Sequence, residues 1–280
     1  MSDPVVTVSE LVKTFPGVGT GRRKAETRAV SDVSFTVQRG GALAIVGESG
    51  SGKTTVARCL AALEAPTSGS IEVCGERWTG KQGSTKARRR RARKIQLVFQ
   101  DPYQSLDPRQ QVGAALDEAL RVHRVRDGSK RDDEVLDLLE RVGLSGEVAD
   151  FYPRVLSGGQ RQRVAIARAL AAEPEVMVFD ESVAALDVSI QAQILNLVSD
   201  LRESAGLTTI FISHDLAVVR QVSESMIVMR RGVVVEEGST TDVLTSPADP
   251  YTKMLIASIP RIGWDPGDVL RAASADDERR

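Results

Sequence analysis

The sequence predicts an α/β fold built on a parallel sheet, and three features support this prediction. Short, continuously apolar runs at 42–46 and 176–179 are typical of strands that are buried on both faces. The region 112–142 instead repeats its apolar residues with a helical period. Between the first apolar run and a candidate helix lies a glycine-rich loop, 47–55. With 280 residues, the chain is long enough to bury a substantial core.

The glycine-rich loop has the G-x-x-x-x-G-K-T spacing of a phosphate-binding loop. Its glycines allow a tight turn in which several N–H groups point into one hollow, and the N-terminus of the helix predicted for 54–63 adds positive charge there. Lys53 is placed to neutralise the β- and γ-phosphates, and the Thr54 hydroxyl to hold Mg²⁺. An incidental turn is the alternative, but the flanking strand and helix favour a phosphate site. The candidate nucleotide-binding residues here are Gly47, Glu48, Ser49, Gly50, Ser51, Gly52, Lys53, Thr54 and Thr55.

Composition excludes several classes of protein. The net charge is −1, so no global field draws the chain to nucleic acid or to a membrane. Cys59 and Cys74 have no partners at metal-ligand spacing, which argues against a disulfide framework or a zinc site. No signal sequence and no apolar run near 18 residues is evident, so we expect a soluble, cytosolic protein.

The sequence around the loop is rich in β-strand patterns. Strands are predicted at 5–8, at 29–37, where Val33, Phe35 and Val37 share one face, and at 70–73. The glycine-rich and charged residues between the first two strands predict a loop over 16–28.

A dense basic run over 86–94 precedes an apolar strand predicted for 95–99. A nucleic-acid or lipid-headgroup patch is one interpretation of the basic run. A solvated charged face is the favoured one, because the net charge is near zero and no aromatic residues are interleaved.

Two helical stripes follow in the region 112–142. Gly143 suits the C′ position after the second helix. We interpret the stripes as core and assign them no chemistry. They consist of Val112, Ala115, Leu116, Ala119 and Leu120, and of Val135, Leu138, Leu139 and Val142.

A second candidate anion site follows at Ser157, Gly158, Gly159 and Gln160. Ser157 is a good N-cap residue for the helix that follows, and the glycines permit close approach of the backbone. Because one loop already accounts for a triphosphate, we infer that this second helix end faces a nucleotide on another molecule.

The chain resembles the ATP-binding subunits of ABC transporters over residues 5–260, and Leu-Ser-Gly-Gly-Gln at 156–160 matches their signature motif. The resemblance implies a RecA-like P-loop core with an antiparallel β subdomain and a helical insertion near 101–165. It also implies one ATP-binding domain over 1–260, a polar tail over 261–280, and a head-to-tail dimer in which the signature closes on the partner's ATP.

The same resemblance implies roles for residues that follow strand ends. Asp180 would organise Mg²⁺, together with Thr54 and Gln100. Glu181 would be the general base, and His214 the switch histidine that contacts the γ-phosphate. Gln100 would also relay the nucleotide state to the membrane partner. Phe15 would stack on adenine, although it can also be an ordinary core residue at a strand end.

Other parts of the chain follow the family less closely. In the segment that resembles the D-loop, Ser182 replaces the usual proline and Ala184 the usual serine, whereas Leu186 and Asp187 are retained. Further along, the pattern predicts a helix over 189–202, a strand over 208–213 and a hairpin over 226–236. The resemblance implies that 238–244 forms the helix that ends the family's domain.

The segments 100–109, 185–193 and 249–253 resemble the peptide and nickel importers within this family. The resemblance implies ATP and Mg²⁺ as cofactors and a peripheral place on the cytoplasmic face of the membrane. It further implies permease subunits, a second ATP-binding subunit (a sibling chain or a second copy) and, indirectly, an extracytoplasmic solute-binding protein. With no cysteine after Cys74, we expect no iron–sulfur cluster. The alternatives are a soluble ABC ATPase without a transport role and a regulatory module that binds ATP without hydrolysing it.

Overall fold

A computed structural model describes residues 4–16, 26–78, 84–100, 105–123, 131–184 and 186–258. The segment resembling the Q-loop at 101–104, Ala185 of the D-loop-like segment, most of the predicted loop at 16–28 and the tail at 261–280 lie outside these ranges. Among the described residues, the strands form two sheets, one antiparallel and one mainly parallel.

The antiparallel sheet has the strand order β2-β1-β4-β5. Strand β1 is longer than predicted because a bulge interrupts its alternation. Its pairing with β2 shifts register between Val8 and Leu11, where Glu10 adopts a left-handed φ of 49°. The sheet consists of β1 (Pro4–Phe15), β2 (Thr27–Gln38), β4 (Ser68–Val73) and β5 (Glu76–Trp78).

The second sheet has the strand order β10-β9-β3-β8-β7-β6, in which only the β9–β10 pairing, among the described strands, is antiparallel. The continuous burial of β3, β7 and β8 explains their unbroken apolar runs, and β3 and β8 have the predicted bounds. The strands are β3 (Ala42–Val46), β6 (Ile95–Val98), β7 (Val176–Asp180), β8 (Thr208–Ser213), β9 (Ser225–Arg230) and β10 (Val233–Ser239).

Helices pack against the parallel sheet, and the described part of the chain that connects β6 to β7 is largely helical. Both predicted stripes are buried there, and Gly143 has a left-handed φ of 69° after the second helix. The helices are α1 (Lys53–Leu60), α2 (Thr85–Lys94), α3 (Val112–His123), α4 (Arg131–Arg141), α5 (Gly158–Leu170), α6 (Val188–Ala205), α7 (Leu216–Val222), α8 (Thr240–Thr245) and α9 (Pro250–Ala257). None of the helices in the described ranges is both long and apolar enough to span a bilayer.

Three predicted helices have different bounds in the structure, and the one predicted for 189–202 is longer at both ends, at Val188–Ala205. Helix α1 stops before 63 because Ala62 adopts a left-handed φ of 54°, which turns the chain away. The helix predicted for 238–244 was wrong at its start, since Gly238 and Ser239 still pair with β9. Ser239 then accepts a hydrogen bond from the Asp242 N–H at 3.0 Å and begins α8.

The basic run forms α2, which buries none of its residues. Arg90 and Lys94 both pair with Glu76 on β5, and the Arg91 guanidinium lies 5.5 Å from the centroid of the Trp78 ring. These contacts fit the interpretation of a charged, solvated face whose inner side packs on the antiparallel sheet.

Candidate nucleotide-binding site

Predicted site residues from four strands lie at one edge of the parallel sheet. The glycine-rich loop follows β3, Glu181 follows β7 and His214 follows β8, while Gln100 comes two residues after β6. These four strands run parallel, so their carboxyl ends open on the same side, where ligands bind in open α/β sheets.

The phosphate loop is pressed so closely against its surroundings that only glycine fits at two positions. A Cβ atom on Gly47 would lie 2.1 Å from the Met229 carbonyl oxygen, and one on Gly52 would lie 2.4 Å from the Ala29 carbonyl oxygen. Both glycines also have positive φ, at 148° and 106° respectively. The loop is therefore held in shape by β9 and β2 behind it.

Lys53 is the cation of the loop and is only 4% exposed. Its ammonium group donates hydrogen bonds to the carbonyl oxygens of Gly47 and Glu48, each at 2.7 Å. Burial lowers the pKa of Lys53, and the nearby carboxylates of Glu181 and Asp180 partly oppose that shift. The structure thus places a poorly solvated positive charge beneath the hollow of the loop, where a phosphate would be stabilised strongly.

Thr54 and Asp180 lie side by side, and the Thr54 hydroxyl donates to the Asp180 carboxylate at 3.1 Å. Burial raises the pKa of Asp180, with Glu181 adding to the shift and the Thr54 hydrogen bond opposing it. A hydroxyl and a carboxylate oxygen at one point are the hard donors that Mg²⁺ prefers. These two residues therefore fit the predicted metal site.

Glu181 and His214 form a pair, with 3.3 Å between Glu181 Oε1 and His214 Nδ1. Glu181 has a left-handed φ of 48°, and its N–H donates to the Ile212 carbonyl at 2.9 Å. Such strain on a non-glycine residue persists where the surroundings impose it, often at functional sites. A cavity of about 60 Å³ lies against both side chains and Ser213, and it is large enough to admit a water molecule.

Gln100 and Phe15 are placed at the margin of the site. Gln100 is exposed at the end of its strand. Phe15 is partly buried at the end of β1, with the Lys13 ammonium 4.8 Å from its ring centroid. Its partner on β2 is Thr27, two residues before Ala29, which touches the phosphate loop.

The signature segment lies on a different element, at the N-terminus of α5. Ser157 and Gln160 form a capping box, in which each side chain accepts a hydrogen bond from the other's backbone N–H. Among the described contacts, Gly158 and Gly159 pack towards Leu186 and Ile190 rather than towards the phosphate loop. Within one copy of the chain, then, the two predicted anion sites are not brought together by these contacts.

The sequence did not predict two hydrogen bonds that hold the phosphate loop to distant parts of the chain. The Gly232 N–H, in the turn between β9 and β10, donates to the Ser51 carbonyl at 2.9 Å. The Tyr251 hydroxyl, on α9, accepts from the Glu48 N–H at 3.0 Å. Tyr251 belongs to the 249–253 segment noted for its resemblance, which was the signal available, but that resemblance suggested no contact with the loop.

Two family models match the chain. One, described as "ABC transporter", matches residues 30–184. The other, described as "Oligopeptide/dipeptide transporter, C-terminal region", matches residues 235–277. The second match takes in α9 and part of the polar tail.

Curated relatives cover most of the chain. Dipeptide transport ATP-binding protein DppF of Haemophilus influenzae is 44% identical over 260 residues, covering 92% of this chain and 79% of the relative. DppF of Escherichia coli is 42% identical over 267 residues, which cover 95% of this chain and 79% of the relative. A probable peptide ABC transporter ATP-binding protein of Sinorhizobium fredii, y4tS, is 47% identical over 264 residues, covering 93% and 74%.

Solved structures confirm the predicted α/β P-loop fold. The dimeric ATP-binding cassette MJ0796, in a post-hydrolysis state bound to ADP and Pi, aligns with a TM-score of 0.73 at 30% identity, covering 84% of this chain and 98% of that one. The cbiO1 subunit from Clostridium perfringens aligns with a TM-score of 0.74 at 27% identity, covering 94% and 98%. With the fold, the motifs and the family model in agreement, the chain belongs to the ABC transporter family, among its ATP-binding proteins.

Proposed function

We propose that this chain binds and hydrolyses ATP to power the import of peptides through membrane-spanning partner subunits. One observation carries the proposal. Lys53, the Thr54–Asp180 pair and the Glu181–His214 pair meet at one sheet edge. The chain that bears them also matches the C-terminal region of peptide transporters.

In the proposed binding mode, the N–H groups of the phosphate loop and the N-terminus of α1 surround the triphosphate. Lys53 exchanges its hydrogen bonds to Gly47 and Glu48 for the β- and γ-phosphates. Phe15 stacks on the adenine ring. The remaining loop residues supply backbone contacts.

In the proposed hydrolysis, Glu181 accepts a proton from the attacking water while His214 orients that water towards the γ-phosphate. Their 3.3 Å contact and the adjoining cavity support this assignment. Thr54, Asp180 and Gln100 are the residues that would hold Mg²⁺. When bound, this ion supplies charge stabilisation to the leaving phosphate oxygens. Catalysis then depends on positioning and electrostatics more than on covalent chemistry.

The signature segment acts on the nucleotide of a second ATP-binding subunit. Ser157, Gly158, Gly159 and Gln160 close on the partner's γ-phosphate in a head-to-tail dimer, since described contacts within one chain leave them away from its own loop. MJ0796 has been solved as a dimer bound to ADP and Pi, which supports this arrangement. Peptide importers often pair two different ATPases, so a sibling chain is the favoured partner.

We further propose that the working complex lies on the cytoplasmic face of the membrane, bound to permease subunits and served indirectly by an extracytoplasmic solute-binding protein. Residues 1–260 would form the ATP-binding domain, with a helical insertion near 101–165, followed by a polar tail over 261–280. The names of the relatives, which are peptide and dipeptide transport proteins, support the choice of peptides.

Reconstitution in liposomes tests the proposal directly. The chain, its sibling ATPase and the permease are assembled with the solute-binding protein, and phosphate release is followed with and without a dipeptide. We expect dipeptide to stimulate ATP hydrolysis and to accumulate in the lumen, and Lys53→Ala to remove both effects. ATP binding without phosphate release would indicate a regulatory module. A rate of ATP hydrolysis that is the same with and without the permease would indicate a non-transport ATPase.

A further inference from the structure

A buried side chain of helix α9, Tyr251, contacts the phosphate loop and is 1% exposed. Its hydroxyl accepts a hydrogen bond from the Glu48 N–H at 3.0 Å, across 203 positions of sequence. Glu48 itself is exposed, so this contact joins a buried group to a loop that faces solvent.

The peptide group that joins Gly47 to Glu48 is hydrogen bonded at both ends. Its N–H donates to Tyr251, and its carbonyl oxygen accepts from the Lys53 ammonium at 2.7 Å. In a trans peptide these two groups point in opposite directions, so the Tyr251 hydroxyl and the Lys53 ammonium lie on opposite sides of this peptide. A rotation of this peptide would therefore break both hydrogen bonds at once.

Tyr251 is itself fixed on several sides. The Arg230 guanidinium lies 4.7 Å from the centroid of its ring, in cation–π geometry. Its N–H donates to the Asp249 side chain at 2.8 Å, which caps α9. The Glu236 carboxylate on β10 accepts from the N–H groups of Ala248 and Asp249 at 2.7 and 3.1 Å. The ring is therefore held against β9, and the start of α9 is held to β10, so the position of the Tyr251 hydroxyl is fixed.

We propose that Tyr251 is a positioning residue of the nucleotide site, which fixes the Gly47–Glu48 peptide and thereby sets the affinity for ATP. This inference rests on the proposed ATP-binding function and adds a regulatory route to it. A shift of α9 would displace the Tyr251 hydroxyl. The Gly47–Glu48 peptide would then move, and with it the hydrogen bond from Lys53. The C-terminal region matched to peptide transporters would then tune nucleotide binding.

Tyr251→Phe tests the inference, because it removes only the hydroxyl and keeps the ring beneath Arg230. Binding of a fluorescent ATP analogue is measured on the full chain, with KM and kcat measured in the assembled transporter. Loss of one hydrogen bond of ordinary strength predicts a rise of about 3- to 10-fold in both the Kd and the KM for ATP. We expect kcat to stay within about twofold, because the groups that act on the attacking water are untouched.

Ser258→Ala is the matched control, since it removes a hydroxyl that bonds the Leu255 carbonyl within the same C-terminal segment. We expect it to leave the Kd unchanged. Thermal unfolding of both variants separates a local effect from a general loss of stability. An unaltered Kd in Tyr251→Phe would overturn the inference, whether or not the melting temperature falls. If the wild-type chain failed to bind the analogue, the proposed ATP-binding function would fail instead.

Discussion

Glu181 is held in a left-handed backbone conformation by the Ile212 carbonyl, so its carboxylate is aimed by the sheet rather than by its own preference. A water molecule in the cavity beside Glu181 and His214 would be within reach of both side chains. The side chain can therefore be replaced while the backbone hydrogen bond that positions it is kept.

Glu181→Gln should keep ATP binding and lose turnover. Glutamine has nearly the same shape and can still meet His214, but it cannot accept the proton of the attacking water. General bases contribute about 10²- to 10⁴-fold, so phosphate release should fall by that order while the Kd for ATP changes little. Phosphate-release kinetics and analogue binding measure the two quantities. Turnover near the wild-type rate would remove Glu181 from the role of general base.

Asp180→Asn should stabilise the chain without ligand while impairing hydrolysis. Burial raises the pKa of Asp180, so ionised Asp180 destabilises the fold at neutral pH. Asparagine keeps an oxygen for the Thr54 hydroxyl and carries no charge. We expect a rise in melting temperature on the order of 2 °C at pH 8, in the absence of Mg²⁺ and nucleotide.

The pH dependence of this stability difference has a definite sign. As the pH falls below the raised pKa of Asp180, the carboxyl of the folded chain takes up a proton and the penalty begins to shrink. It is gone once the pH is also below the ordinary pKa that this carboxyl has in the unfolded chain. The advantage of Asp180→Asn should therefore shrink towards acid pH, which scanning calorimetry at a series of pH values would measure. If the difference in stability between Asp180→Asn and the wild type grew at acid pH, the pKa of Asp180 would not be raised in the folded chain.

At the scale of elements, α5 and α6 approach each other closely through a glycine. A Cβ atom on Gly159 would lie 2.5 Å from Ile190 Cγ2, whereas one on Gly158 would lie 3.2 Å from Leu186 Cδ2. A side chain is therefore much harder to accommodate at Gly159 than at Gly158, although the two glycines are adjacent in the signature motif.

Gly159→Ala should destabilise the chain more than Gly158→Ala does. Overpacking of this kind costs about 1–3 kcal/mol, because one of the two helices must shift. Chemical denaturation measures the difference, and Ile190→Ala in the same chain should recover most of the loss by making room. Equal stabilities for the two single variants would show that the helices adjust freely.

At the scale of the whole molecule, one chain holds its two predicted anion-binding features on separate elements. The phosphate loop lies at the sheet edge, and the signature begins α5. Under the proposed function, a second subunit, whether a copy or a sibling, completes the site.

ATP should drive pairing in the Glu181→Gln background, where hydrolysis no longer reopens the dimer. Light scattering on the chain alone and on the chain co-expressed with its sibling should show an ATP-dependent doubling of mass in at least one sample. Adding Ser157→Glu should abolish the pairing by repelling the partner's γ-phosphate, with analogue binding to the monomer unchanged. A constant mass in both samples would contradict the head-to-tail arrangement.

Much of the fold could be predicted because its signals are local. The apolar runs of β3 and β8 fixed their bounds, and the stripes of α3 and α4 identified their buried faces. Strand β1 was predicted too short, because the bulge at Glu10 breaks the alternation on which a strand is recognised. The helix expected from 238 began late, because pairing with β9 outweighs local preference there.

The sequence alone determined the phosphate loop, the signature cap and the carboxylates at the end of β7, because spacing within a short segment dictates the local backbone. Tertiary structure alone decided that Thr54 meets Asp180, that Glu181 meets His214 and that Tyr251 supports Glu48. These contacts join residues 33 to 203 positions apart, and they depend on strand order and helix packing. No local pattern encodes that order, because it is set by how the whole chain buries its apolar surface.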